Sequence, residues 1–163
     1  MTMRGAAGSY RITTGDGRST EELVEAGEYA YAHSCVTSEN FPATHSDGPQ
    51  AREIALVEFD HDVTSEGAIA EAAQLGLERP MYEDALYFGI QYPDVQRERP
   101  VIFLHDPWFG FSGRRDVLCL WTNAGRRELG LEGFDDRWMR SSRFGFVRTP
   151  DGARRSSSLR DAR

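Results

Sequence analysis

Two short runs carry the residue types that general-base or metal chemistry needs. Asp60-His61-Asp62 closes one apolar stretch, and His105-Asp106 closes another within RERPVIFLHDPWFGF. If brought together, two imidazoles and a few carboxylates make a plausible set for a divalent metal ion with a bound water as nucleophile. One imidazole oriented by a neighbouring carboxylate makes a general base. Asp60, His61, Asp62, His105 and Asp106 are therefore the candidate set for a metal-dependent hydrolase or nuclease. His33 and His45 lie in a long loop from which further ligands could come.

Each of these residues also has a plainer role. Asp62 precedes a helical stretch and suits a helix N-terminus. Asp106-Pro107 is a frequent turn opening. Neighbours on a strand point to opposite faces, so His105 and Asp106 share a site only where the strand has ended.

The second candidate is a binding face. Arg114-Arg115 and Arg126-Arg127 fall at successive turns, with Trp108, Phe111, Trp121 and Trp138 close by in sequence and Arg137, Arg140, Arg143 and Arg148 following. Guanidinium forks beside aromatic rings grip carboxylates or phosphates and stack on planar groups. Trp108, Arg114, Arg115, Arg126, Arg127 and Trp138 are the candidate contacts, with a protein as the expected partner and nucleic acid as the other. The competing role is structural, with the rings in the core and the arginines paired to the chain's own acids.

The charge pattern frames that choice. The net charge is -7, and every cation is arginine, there being no lysine among the 163 residues. Residues 16 to 106 carry -14 and residues 107 to 163 carry +5. Overall acidity disfavours non-specific nucleic-acid binding by the whole surface. A third, thinner possibility is a nucleic-acid mimic, which needs the acidic middle arrayed at phosphate-like spacing on one exposed face. The two cysteines, Cys35 and Cys119, fit no zinc spacing and are expected to be free. No apolar run approaches a membrane span, and the opening residues lack the apolar core of a secretory signal, so a cytoplasmic location is expected.

The elements that must position these groups are legible from local signals. Tyr10 to Thr14 has strand character, after nine small and polar residues expected to be loose. Ser19 and Glu22 have capping-box spacing and open a helix that Gly27 stops. Residues 33 to 50 form a long irregular connection of the kind that is often functional or mobile. Glu53 to Phe59 is a strand with one buried face. Thr64 or Ser65 caps a helix with an apolar stripe at Ala68, Ile69, Ala72 and Leu75. A third helix follows Pro80 and ends at Pro93. Strands are expected over Val101 to His105, Val117 to Trp121, Glu128 to Leu131 and Arg143 to Arg148, with a polar disordered tail from Pro150.

The order predicts an α+β domain spanning residues 10 to 149, with about three helices and a mixed sheet ending in an antiparallel meander. A crossover from Glu53–Phe59 to Val101–His105 would make those strands parallel neighbours, with Asp60-His61-Asp62 and His105-Asp106 at one sheet edge.

The run ALVEFDHDVTSEGAIAEAAQLGLERPMYEDALYFGIQYPDVQRERPVIFL, with GRRELGLEGFDDRW and RFGFVR, resembles a family of small uncharacterised bacterial proteins. The resemblance spans the chain from near residue 20 to residue 148 and implies no activity, cofactor or partner. In the family's pattern, small residues such as Gly-Ser often stand where His105-Asp106 stands here. The resemblance thus speaks against a catalytic role for that pair. The charge polarity and the lack of a complete catalytic constellation point to a small cytoplasmic interaction module without a cofactor, binding a macromolecular partner that is expected to be a protein. The alternative is the metal-dependent enzyme.

Overall fold

A computed structural model describes residues 3–44, 48–110 and 112–148, with side chains from Gly8 onward. His45, Phe111 and the tail from Pro150 lie outside the described residues. Eleven strands and four helices follow one another among the described residues. They are β1 (Met3–Thr14), α1 (Thr20–Ala26), β2 (Tyr31–Ala32), β3 (Gln50–Phe59), β4 (Val63–Thr64), α2 (Ser65–Gln74), β5 (Leu77–Glu78), α3 (Tyr82–Gln91), α4 (Val95–Glu98), β6 (Val101–Ile102), β7 (Trp108–Phe109), β8 (Arg115–Asn123), β9 (Arg126–Gly133), β10 (Arg137–Trp138) and β11 (Arg143–Arg148). This is an α+β domain around one large mixed sheet.

The helix starts follow local chemistry. Ser19 accepts from the Glu22 N–H while Glu22 accepts from the Ser19 N–H, closing the capping box of α1. Thr64 accepts from the Gly67 N–H to cap α2. Asp84 accepts from the Met81 N–H at the start of α3. Helix α4 is a single turn and is the one that sequence patterning does not reveal.

The main sheet runs β1-β3-β11-β6-β8-β9-β2, with β5 paired to β11 and β7 to β8. Strands β6, β8 and β9 form the expected antiparallel run. The last strand departs from the meander. β11 enters the middle of the sheet, antiparallel to β3 and parallel to β6. The sheet also begins earlier than expected, because β1 pairs with β3 from Met3 onward through two register shifts near its glycines.

Both faces of the sheet are covered. Ile12, Ile54, Leu56, Phe88, Phe103, Leu118 and Leu120 pack under α1 and α3 on one side. Ala55, Val57, Phe59, Cys119, Phe144 and Phe146 pack under α2 and the small β4–β10 sheet on the other. Residues 54–57 of β3 are buried without interruption, so this strand is not one-faced. A strand covered on both sides needs apolar residues at every position, as the run Ile54-Ala55-Leu56-Val57 provides. Among the described residues, no helix is long and apolar enough to cross a membrane.

Gly145, at the centre of β11, leaves room for the fully buried Phe103 ring: a Cβ there would come within 2.6 Å of the ring edge. Gly145→Ala is expected to destabilise the domain by about 1–3 kcal/mol. The check is urea unfolding, and an unchanged midpoint would show that the ring can move aside.

Candidate functional site

His105 follows β6 and is buried, with 1% exposure. Its Nδ1 lies 2.8 Å from the Asp106 carbonyl oxygen, and its Nε2 accepts the Leu118 N–H at 2.9 Å. One ring nitrogen therefore donates and the other accepts, which defines the neutral Nδ1–H imidazole. Burial pushes its pKa down to about 4, against the opposing pull of the Asp106 carbonyl. Phe41 and Tyr82 pack edge-on to the ring. The Asp106 side chain points to solvent at 97% exposure, where Arg79 meets it at 3.0 Å. Arg79 also donates to the Leu104 and His105 carbonyls, tying down the turn. The two neighbours thus face opposite ways, and His105 is a packing residue.

Asp60, His61 and Asp62 lie elsewhere. Because β3 and β6 are each paired to β11 in opposite senses, their carboxyl ends leave the sheet at opposite edges. The parallel crossover is corrected accordingly, and the two halves of the metal set do not converge. Asp60 meets His61 Nδ1 at 2.6 Å, and His61 Nε2 is buried without a partner among the described residues. Asp62 accepts the Arg140 N–H, joining the β4–β10 pair rather than capping α2. Among the described residues, no three His, Cys, Asp or Glu side chains are grouped to hold a metal ion. His33 Nδ1 accepts the Cys35 N–H and closes a local turn.

The arginine and tryptophan candidates divide by burial. Arg127 is 7% exposed and donates to the carbonyls of Gly27 and Gly89 and to Gln96 Oε1. Its guanidinium lies 4.7 Å over the Tyr29 ring. Trp138 is buried and donates to Ser65 Oγ at 2.8 Å. These two are corrected from surface contacts to internal struts. Trp108 is half-buried against Phe41. Arg114, Arg115 and Arg126 remain on the surface. Arg114 pairs with Asp116 at 2.7 Å and approaches Asp136 at 3.7 Å. Arg115 pairs with Asp135 and covers the Phe134 ring at 4.9 Å. Phe109, not singled out from the sequence, is 65% exposed beside them.

A further feature has no signal in sequence spacing. A cavity of about 300 Å³ lies between the Gly15–Gly17 turn, the start of α1, the loop at Ser38–Thr44 and the first turns of α3. A smaller space of about 60 Å³ adjoins it, sharing Gly15, Thr44 and Glu83. The loop that forms one wall is pinned over its described part: Thr20 donates to the Phe41 carbonyl, Tyr82 to the Pro42 carbonyl and Ser38 to Glu21. Phe41 is in the core.

No protein-family model, curated protein or solved structure matches the chain.

Protonating His105 costs the folded state its N–H acceptor and buries a charge. Its folded pKa lies below the ordinary 6.5, so its contribution is complete above pH 6.5 and is lost as the pH falls toward about 4. The loss is on the order of 3 kcal/mol. An NMR titration should find the ring neutral down to about pH 4; a midpoint near 6.5 would contradict its burial. Separately, Arg127→Ala strands three acceptors and should cost about 3 kcal/mol or more in urea unfolding. Arg126→Ala, at an exposed turn, should stay within about 0.5 kcal/mol of wild type.

Proposed function

We propose that the chain is a cytoplasmic interaction module that grips an acidic patch on a protein partner through the β7–β8 hairpin. The observation that carries this reading is Phe109, a large apolar side chain 65% exposed on that hairpin. Phe109 and Arg115 are register partners, so they project from one face of the hairpin. Arg114 stands at the same tip and is half-exposed. A ring flanked by guanidinium forks is the usual composition of an interface anchor.

The pairing of Arg114 and Arg115 with Asp116, Asp135 and Asp136 does not spend them. Asp135 and Asp136 are more than half exposed, whereas Asp116, which holds Arg114 at 2.7 Å, is 15% exposed. Ion pairs in water hold weakly, so Arg115 is the freer of the two. A partner carboxylate can replace the internal one with little loss. Trp108 supports the hairpin from below by packing on Phe41. Arg127 and Trp138 take no part, being committed inside. The unbridged cysteines suit a reducing compartment.

A photo-crosslinking residue at position 109 should trap a protein partner in cell extract, whereas one at exposed Glu25 should not. Arg114→Glu with Arg115→Glu should suppress the adduct several-fold. Equal adducts from both positions, an adduct indifferent to charge reversal, or an adduct with nucleic acid would overturn the reading.

A further inference from the structure

Glu83 stands in the first turn of α3 and is 6% exposed, yet it lines both parts of the cavity beside the Gly15–Gly17 turn. Its carboxylate accepts the Thr44 N–H at 2.9 Å and the Thr44 hydroxyl. Both donors are neutral. Among the described residues, no cation bonds to it; Arg52, which lines the adjoining space, acts on it only at longer range. Its neighbour Asp84 makes the contrast: Arg52 clamps that carboxylate through two bonds of 2.6 and 2.8 Å. A buried carboxylate whose direct hydrogen-bond donors are neutral can still take a charge-assisted bond from a bound cation.

The nearby cation is already committed. Arg18 pairs with Asp16 through Nε and a terminal nitrogen at 2.8 and 2.7 Å. That pair holds the Asp16 carboxyl below its ordinary range. The Tyr87 hydroxyl also donates to Asp16. Across the cavity, Glu22 accepts only the Ser19 N–H among the described residues. The walls thus present the Glu22 and Glu83 carboxylates, the Arg18 guanidinium already paired to Asp16, the hydroxyl-bearing Ser19 and Ser38, and the Tyr87 ring.

We propose that this cavity binds a small organic cation, a short-chain amine or amino alcohol, with its ammonium group on Glu83. An ammonium supplies a direct ion pair and charge-assisted hydrogen bonds. Glu22 receives a second amine or hydroxyl at the other end. The carbon chain lies along Tyr87. The volume is at the small end for ligand sites and suits a guest of that size. An anion meets two carboxylates, with the Arg18 guanidinium of the lining held by Asp16, and is rejected.

The test uses the whole chain with 1,4-diaminobutane, its uncharged analogue 1,4-butanediol, and inorganic phosphate, at an ionic strength of about 0.15 M to screen non-specific attraction. Amide NMR shifts should move saturably at Gly15, Gly17 and Thr44 with the diamine, and not with the diol or phosphate. Glu83→Gln keeps an acceptor for Thr44 and should weaken diamine binding at least about tenfold, or about 1.4 kcal/mol. Glu22→Gln should weaken it less. Equal shifts from diamine and diol, saturable binding of phosphate there, undiminished binding by Glu83→Gln, or no saturable shift in wild type would each overturn the proposal. Should Glu83→Gln fail to fold, Glu22→Gln and the diol comparison still decide.

Discussion

The last strand of the chain occupies the middle of the sheet, and most of the architecture depends on that placement. β11 supplies backbone partners to β3 on one side and β6 on the other. Without it the sheet divides into the antiparallel β1–β3 pair and the β6–β8–β9 meander, each with an open edge. Phe144, Phe146 and Val147 are almost wholly buried, so the strand also contributes side chains to both cores. Its parallel pairing with β6 and antiparallel pairing with β3 decide which loops can meet. Asp60-His61-Asp62 and His105-Asp106 are separated by this topology, whatever their chemistry.

Arginine serves two distinct purposes in this lysine-free chain. Buried arginines act as multi-pronged donors to loop and helix-end carbonyls. Arg127 joins the end of α1, the end of α3 and α4. Arg143 donates to the Val95 carbonyl at 2.7 Å from the start of β11. Arg79 clasps the turn after β6. The five N–H groups of a planar guanidinium reach acceptors too widely separated for one compact ammonium, so lysine is a poor replacement here. Arg115 instead pairs with the exposed Asp135, where the bond exchanges readily, and Arg114 divides its contacts between the mostly buried Asp116 and the exposed Asp136. The acidic and basic halves of the sequence therefore compensate one another only in part.

Local signals were legible and non-local ones were not. The caps at Ser19 and Thr64, the stop at Gly27 and the helix between Pro80 and Pro93 followed from spacing alone. The insertion of β11 was illegible because strand order is fixed by packing between segments far apart in sequence. Sequence alternation misjudged β3: Ile54 and Leu56 suggested one buried face, whereas residues 54–57 are buried on both. His105 read as chemistry because its type is reactive; two backbone contacts and burial make it inert. Phe41 lay hidden in a polar, loop-like stretch, although a lone large ring there is a hint of anchoring. Glu83 carries no signal in the sequence, and only the fold reveals the cavity before it.

The sheet order is tested most directly by cross-strand nuclear Overhauser contacts. β11 lying between β3 and β6 requires contacts from Phe144 and Gly145 to Val57 and Leu56 on one side, and from Arg143 and Phe144 to Val101 and Ile102 on the other. Backbone contacts running directly between β3 and β6, with β11 paired to neither, would contradict it and would return the two imidazole-bearing loops to a common edge.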